Sequence, residues 1–241
     1  MVGAILCPPP IERTADHVVT LSYVSLFSVR ERGRFSSSKV IILSCLFFAM
    51  MSSDLPRVTV WGHSFVTRLR ADLERGFHPR ARSDFALDRT ARVSLFGRGG
   101  RTVPKLWSHD LHVISRSPPD IVILEIGTND LSTEEPSLVA ASIEVLVRFL
   151  HDRFSVKVIC VCHVIPRRSL CAFNDKVAAC NELVRSLLEP LPYVFCWFHK
   201  GGFYRKGEKL LLADGVHVNR VGQYLLYRSY RGAILKALTF F

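Results

Sequence analysis

The chain lacks what a membrane span, a nucleic-acid-binding arm, a disulfide scaffold and a zinc module would each require. Its most prominent apolar stretch, Val40–Met51, is twelve residues long, against the roughly 20 needed to cross a bilayer. Arg30, Arg32, Arg34 and Lys39 precede that stretch, as in the charged region of an export signal. No small-x-small cleavage site follows it. There is no dense Lys/Arg run, no internal repeat and no low-complexity tract. The seven cysteines are odd in number, which suits a reducing compartment better than a disulfide framework. Cys160 and Cys162 lie in an apolar run with no second Cys/His pair at zinc-site spacing, so no metal is expected. The turn Gly97-Arg98-Gly99-Gly100 lacks the Gly-Lys-Ser/Thr ending of a phosphate loop, and no cofactor is expected.

What is present is enough for one sizeable domain. The 241 residues are 49% hydrophobic with a formal net charge of +11. Residues 57–241 hold 27 of the 32 basic and 17 of the 21 acidic side chains, so the positive excess belongs to the main domain. A basic enzyme and a polyanion-binding module both fit that balance, with nucleic acid as the partner in the second case. Residues 1–55 read as an N-terminal extension, disordered or lying ahead of a true start at Met50 or Met51; residues 56–241 read as the folded domain. A cytoplasmic or nuclear protein is the expectation. Secretion or membrane anchoring is the alternative if residues 39–51 act as a signal, and no stable membrane span is expected. The sequence leaves the oligomeric state open.

From Arg57 onward, strand-like and helix-like segments alternate. Val58–Trp61, Arg92–Phe96, Ile121–Ile126, Lys157–Cys162 and Tyr193–Phe198 are β-branched, apolar or aromatic runs. Helical periodicity follows over about 65–76, 103–116, 135–153, 173–188 and 219–238. Ile121–Ile126 is nearly all apolar, as in a central strand covered on both faces. Five such units predict a parallel sheet with helices on both sides, whose ligands bind beyond the carboxyl ends of the strands.

Four short motifs fall at those ends. Ser64, after Val58–Trp61 and Gly62, sits at a strand-to-helix turn, as either a nucleophile or a helix N-cap. Gly100 closes the glycine turn, where the backbone can approach a ligand. Asn129, in Gly127-Thr128-Asn129-Asp130, is either an oxyanion donor or a turn residue. Asp214 and His217 are three apart before the last helix. That spacing lets a carboxylate orient an imidazole that takes a serine proton. The remaining histidines, His63 and His199 among them, show no ligand spacing. The loops Leu131–Pro136 and His163–Asn174 are expected to shape the ligand pocket.

In this order the four motifs resemble the SGNH/GDSL hydrolase superfamily over residues about 57–240. In that family the first block reads Gly-Asp-Ser, the second contains a glycine, the third is Gly-x-Asn-Asp and the last is Asp-x-x-His. The resemblance implies a flavodoxin-like three-layer α/β/α sandwich with a five-stranded parallel sheet. It implies a serine esterase acting on a small acyl-ester substrate, with Ser64 as nucleophile, His217 as base and Asp214 as its partner. Ser64, Gly100 and Asn129 would form the oxyanion hole. One position departs: His63 stands where the family has Asp. Mobile-element-associated members that carry a Gly-His-Ser block are similar in this respect. The departure, with the basic surface, motivates the rival expectation of an inactive module of this fold that binds nucleic acid or another polyanion.

Overall fold

A computed structural model describes residues 55–241, apart from Ser169, Arg205 and Lys206. The N-terminal extension, Leu55 excepted, and its apolar run Val40–Met51 lie outside the described residues. Five strands form one parallel sheet: β1 (Arg57–Gly62), β2 (Arg92–Gly97), β3 (Ile121–Glu125), β4 (Val158–Cys162) and β5 (Val194–Trp197), in the order β2-β1-β3-β4-β5. The helices are α1 (Ser64–Glu74), α2 (Val103–Lys105), α3 (Leu111–Arg116), α4 (Pro136–Phe154), α5 (Cys171–Leu188) and α6 (Arg220–Leu238).

Side chains of the inner strands alternate between two apolar clusters. Ile121, Ile123, Cys160 and Cys162 join Phe65, Val66 and Leu69 of α1 and Leu226, Tyr230 and Ile234 of α6. Val122, Leu124, Ile159 and Val161 join Ile143, Leu146 and Val147 of α4 and Val177, Cys180 and Val184 of α5. Both faces of the sheet are therefore covered, giving three layers. This is why β3, apart from Glu125 at its end, and β4 read as apolar runs, buried at every position. The edge strands β2 and β5 are only partly buried. No helix among the described residues is long and apolar enough to cross a membrane.

The helix expected over 103–116 is not continuous. A five-residue π turn, Leu106–Asp110, separates α2 from α3. Its wider winding carries Asp110, buried although charged, whose carboxylate receives both Nε and Nη2 of Arg101. A regular helix gives way here to a side chain that has to face inward.

The sheet aligns the strand ends that matter. Gly62 pairs with Gly97 on one side and with Glu125 on the other. The segments leaving β1, β2 and β3 therefore start at one level. β1 sends the chain toward β2, and β3 lies on its opposite side, so a crevice opens between β1 and β3 at their carboxyl ends. Gly62 is obligatory for that close approach: a Cβ there would lie 2.0 Å from the Glu125 carbonyl oxygen.

Candidate active site

The helix that carries Ser64 is capped by its neighbour. His63 Nδ1 accepts the Phe65 N–H at 3.4 Å, and Ser64 is the first helical residue. The capping role weighed for Ser64 thus falls to His63. This leaves the Ser64 Oγ free to meet His217 Nε2 at 3.2 Å.

His217 sits in a short loop closed by the Leu211–Val218 bridge. Asp214 organises that loop. Its Oδ1 accepts the backbone N–H groups of Val216 and His217, each at 2.9 Å, and its Oδ2 lies 2.7 Å from His217 Nδ1. Those backbone donors, followed by the imidazole, hold the Asp214 carboxyl well below the usual carboxylate range. An ionised Asp214 accepts at Nδ1–H, so Nε2 of the neutral ring is the acceptor that faces Ser64. The three-residue spacing works because one carboxylate both shapes the turn and orients the ring.

Gly100 and Asn129 close the far side. Gly100 adopts a φ of +68°, a left-handed conformation suited to glycine. The N–H groups of Ser64 and Gly100 meet no acceptor among the described residues. Asn129 Nδ2 donates to the Arg101 carbonyl at 2.8 Å. That bond uses one of its two hydrogens and ties the β3 loop to the glycine turn. Ser64, Gly100, Asn129 and His217 line one cleft of about 420 Å³. Asp214 stands behind His217, outside that lining.

The loops expected to shape the pocket do not line it. No described residue of Leu131–Pro136 or His163–Asn174 borders the cleft; Thr67, Arg68, Thr128 and Val216 do. The second loop braces the site instead. Arg167 Nη2 donates to the Thr128 carbonyl at 2.7 Å, and its guanidinium lies 4.0 Å over the Phe173 ring. The Arg168 N–H donates to the Gly215 carbonyl at 2.9 Å. Two adjacent arginines therefore fasten the Asn129 loop and the Asp214–His217 loop.

Beneath the Ser64 turn lies a polar cluster that spacing alone did not reveal. Glu125 Oε2 accepts from the Tyr230 hydroxyl and from His199 Nε2, each at 2.9 Å. Its Oε1 lies 3.6 Å from His63 Nε2. His199 Nδ1 lies 3.0 Å from Ser229 Oγ, which also accepts from Trp197 Nε1. Burial opposes charge on both Glu125 and His199, but their mutual attraction prevails. The Glu125 carboxyl is held well below its usual range, and His199 is raised to about 10. Glu125, Cys162 and His199 are metal-ligand types whose ligand atoms lie within 4.8 Å of one another. Burial pushes the Cys162 thiol well up, away from the thiolate that binds metals. Tyr230 and His199 already occupy the carboxylate, so the group forms a self-satisfied hydrogen-bonded cluster. The one available signal was Glu125, the only charge in the apolar run Ile121–Ile126.

A family model described as the GDSL-like lipase/acylhydrolase family matches residues 60–225. No curated protein matches the chain. Solved structures do. An alpha/beta hydrolase from the metagenome of Lake Arreo, Spain, is 18% identical with a TM-score of 0.58, over 76% of this chain and 95% of that one. A GDSL-like lipase from Bacteroides thetaiotaomicron is 16% identical with a TM-score of 0.57, over 80% and 97%. A variant of an acetyl xylan esterase from Geobacillus stearothermophilus is 17% identical with a TM-score of 0.54, over 77% and 95%. At these identities the likeness is one of fold, the same α/β/α arrangement of a parallel sheet.

Proposed function

Because the chain belongs to the GDSL-like lipase/acylhydrolase family, we propose that it hydrolyses a small acyl ester through Ser64, His217 and Asp214. The observation that carries this reading is the unbroken line from Asp214 Oδ2 to His217 Nδ1 at 2.7 Å and from His217 Nε2 to Ser64 Oγ at 3.2 Å. That line ends in a cleft bordered by N–H groups that meet no acceptor among the described residues.

In the proposed reaction His217 Nε2 takes the Ser64 proton as Oγ attacks the acyl carbonyl. The negative charge that develops on the carbonyl oxygen is met by the N–H groups of Ser64 and Gly100 and by the second Nδ2 hydrogen of Asn129. Asp214 stabilises the imidazolium without taking its proton. The intermediate collapses, the C–O bond to the alcohol breaks, and the alcohol leaves with the proton held at Nε2. Water, deprotonated in turn by His217, attacks the acyl-serine and releases the acid and free Ser64. The sequence calls for no metal or cofactor at any step. Ser64→Ala should reduce hydrolysis of short-chain nitrophenyl esters by several orders of magnitude, leaving only the residual catalysis that the oxyanion donors and binding supply. A purified Ser64→Ala protein as fast as the parent would exclude this mechanism.

A further inference from the structure

The site cleft does not end at the nucleophile. Thr67 and Arg68 also border a second cleft of about 530 Å³ between α1 and the start of α6. From Ser64 its floor follows one face of α1 at helical spacing: Arg68, then Asp72, then Arg75 just past the helix end. At 1.5 Å per residue this track is roughly 16 Å long. Arg220 and Gln223 of α6 form part of the opposite wall.

The lining of this cleft mixes apolar side chains, Ala71, Phe77, Leu212 and Val218, with polar ones, and its charged groups carry a positive excess. Arg68, Arg75 and Arg220 face a single carboxylate, Asp72. Asp72 is already paired with Arg75, and Arg220 holds the Phe77 carbonyl at 2.6 Å. Arg68 is exposed and makes no hydrogen bond or ion pair with a described residue. Gln223 is buried, and its Oε1 has no hydrogen-bond partner among the described residues. A fatty chain laid along this track would strip water from guanidinium groups without replacing it. A carboxylate or phosphate would meet Arg68 in a charge-assisted pair. The cleft also borders Val218 and Asn219, directly after His217.

We infer that this second cleft seats the alcohol portion of the ester, and that this portion is a hydroxyl-bearing group with a carboxylate or phosphate. The inference rests on the serine-hydrolase reading above and narrows its substrate to short acyl esters of anionic carriers.

The test compares kcat/KM for three acetyl esters that share a sugar frame: acetylated glucose, acetylated glucuronate and acetylated glucose 6-phosphate. The full chain should favour at least one anionic ester by about tenfold or more, the scale of one hydrogen bond to a charged group. Which anion wins separates the carboxylate carrier from the phosphate carrier. The preference should lie in KM, shrink at high salt and be lost in Arg68→Gln, read as the ratio of anionic to neutral kcat/KM. A fluorophosphonate that labels Ser64 reports separately that the hydrolytic centre works. A labelled, active protein that cleaves all three esters equally overturns the inference and leaves the serine-hydrolase reading standing. So does a preference that survives Arg68→Gln. An unlabelled protein inactive on every ester overturns both.

Discussion

At Asn129 one amide serves two ends: one hydrogen holds the Arg101 carbonyl and the other is left for the cleft. Asn129→Ala should therefore lower kcat for a nitrophenyl ester by about 10²–10³-fold, the usual cost of one oxyanion donor. KM should change little, because the donor acts on charge that develops only in the transition state. At His63, the residue that departs from the family's Gly-Asp-Ser block, the neighbour decides the outcome. Its Nε2 faces the buried Glu125 carboxylate at 3.6 Å. Aspartate there would set two buried carboxylates side by side, and both cannot ionise without a large cost. His63→Asp should lower the thermal midpoint clearly, and adding Glu125→Gln should recover part of the loss. An unchanged midpoint in the single variant would contradict the pairing. Ser64, Gly100, Asn129, Asp214 and His217 were legible because each belongs to a turn at the end of a strand or before a helix. The cluster of Glu125, His199 and Tyr230 was not. Its members are 74 and 105 residues apart in pairs, and only the fold brings them together.

At the scale of elements, the β1–α1 turn is the part most sharply constrained. Gly62 lets β1 run against the end of β3, and Ala at that position would place its Cβ 2.0 Å from the Glu125 carbonyl. Gly62→Ala should destabilise the fold by about 3 kcal/mol, the upper end of the overpacking range, measured by chemical denaturation. Activity should fall further than stability alone explains, because Ser64 begins the next helix. The inner strands β3 and β4 were readable from composition, since burial on both faces leaves a nearly unbroken apolar run. The break at Leu106–Asp110 was not, because local propensity favours a continuous helix. What overrides it is a tertiary demand, the ion pair between Asp110 and Arg101. The role of the His163–Asn174 loop was missed for the same reason: its position after β4 suggested a pocket wall, whereas its arginines reach backbone carbonyls of two other loops.

For the molecule as a whole, the buried ion pair makes stability depend on pH. His199 is raised to about 10 from an ordinary 6.5. Its contribution is complete below pH 6.5 and is lost as pH rises toward 10. Glu125 is depressed, so its contribution is present above its ordinary 4.5 and is lost only as pH falls below that value. The thermal midpoint should therefore decline between pH 6.5 and 10, and Glu125→Gln should flatten that decline. An equal slope in both proteins would contradict the ion pair. The sheet order β2-β1-β3-β4-β5 gathers every proposed reacting group at one crevice, which is why motifs scattered over some 150 residues form one site. The central claim is that Ser64 is a nucleophile activated by His217. Its most direct measurement is mass-spectrometric mapping of the residue modified by a fluorophosphonate. The account predicts a single adduct on Ser64, formed far more slowly in His217→Ala. An adduct elsewhere, or none, would contradict it.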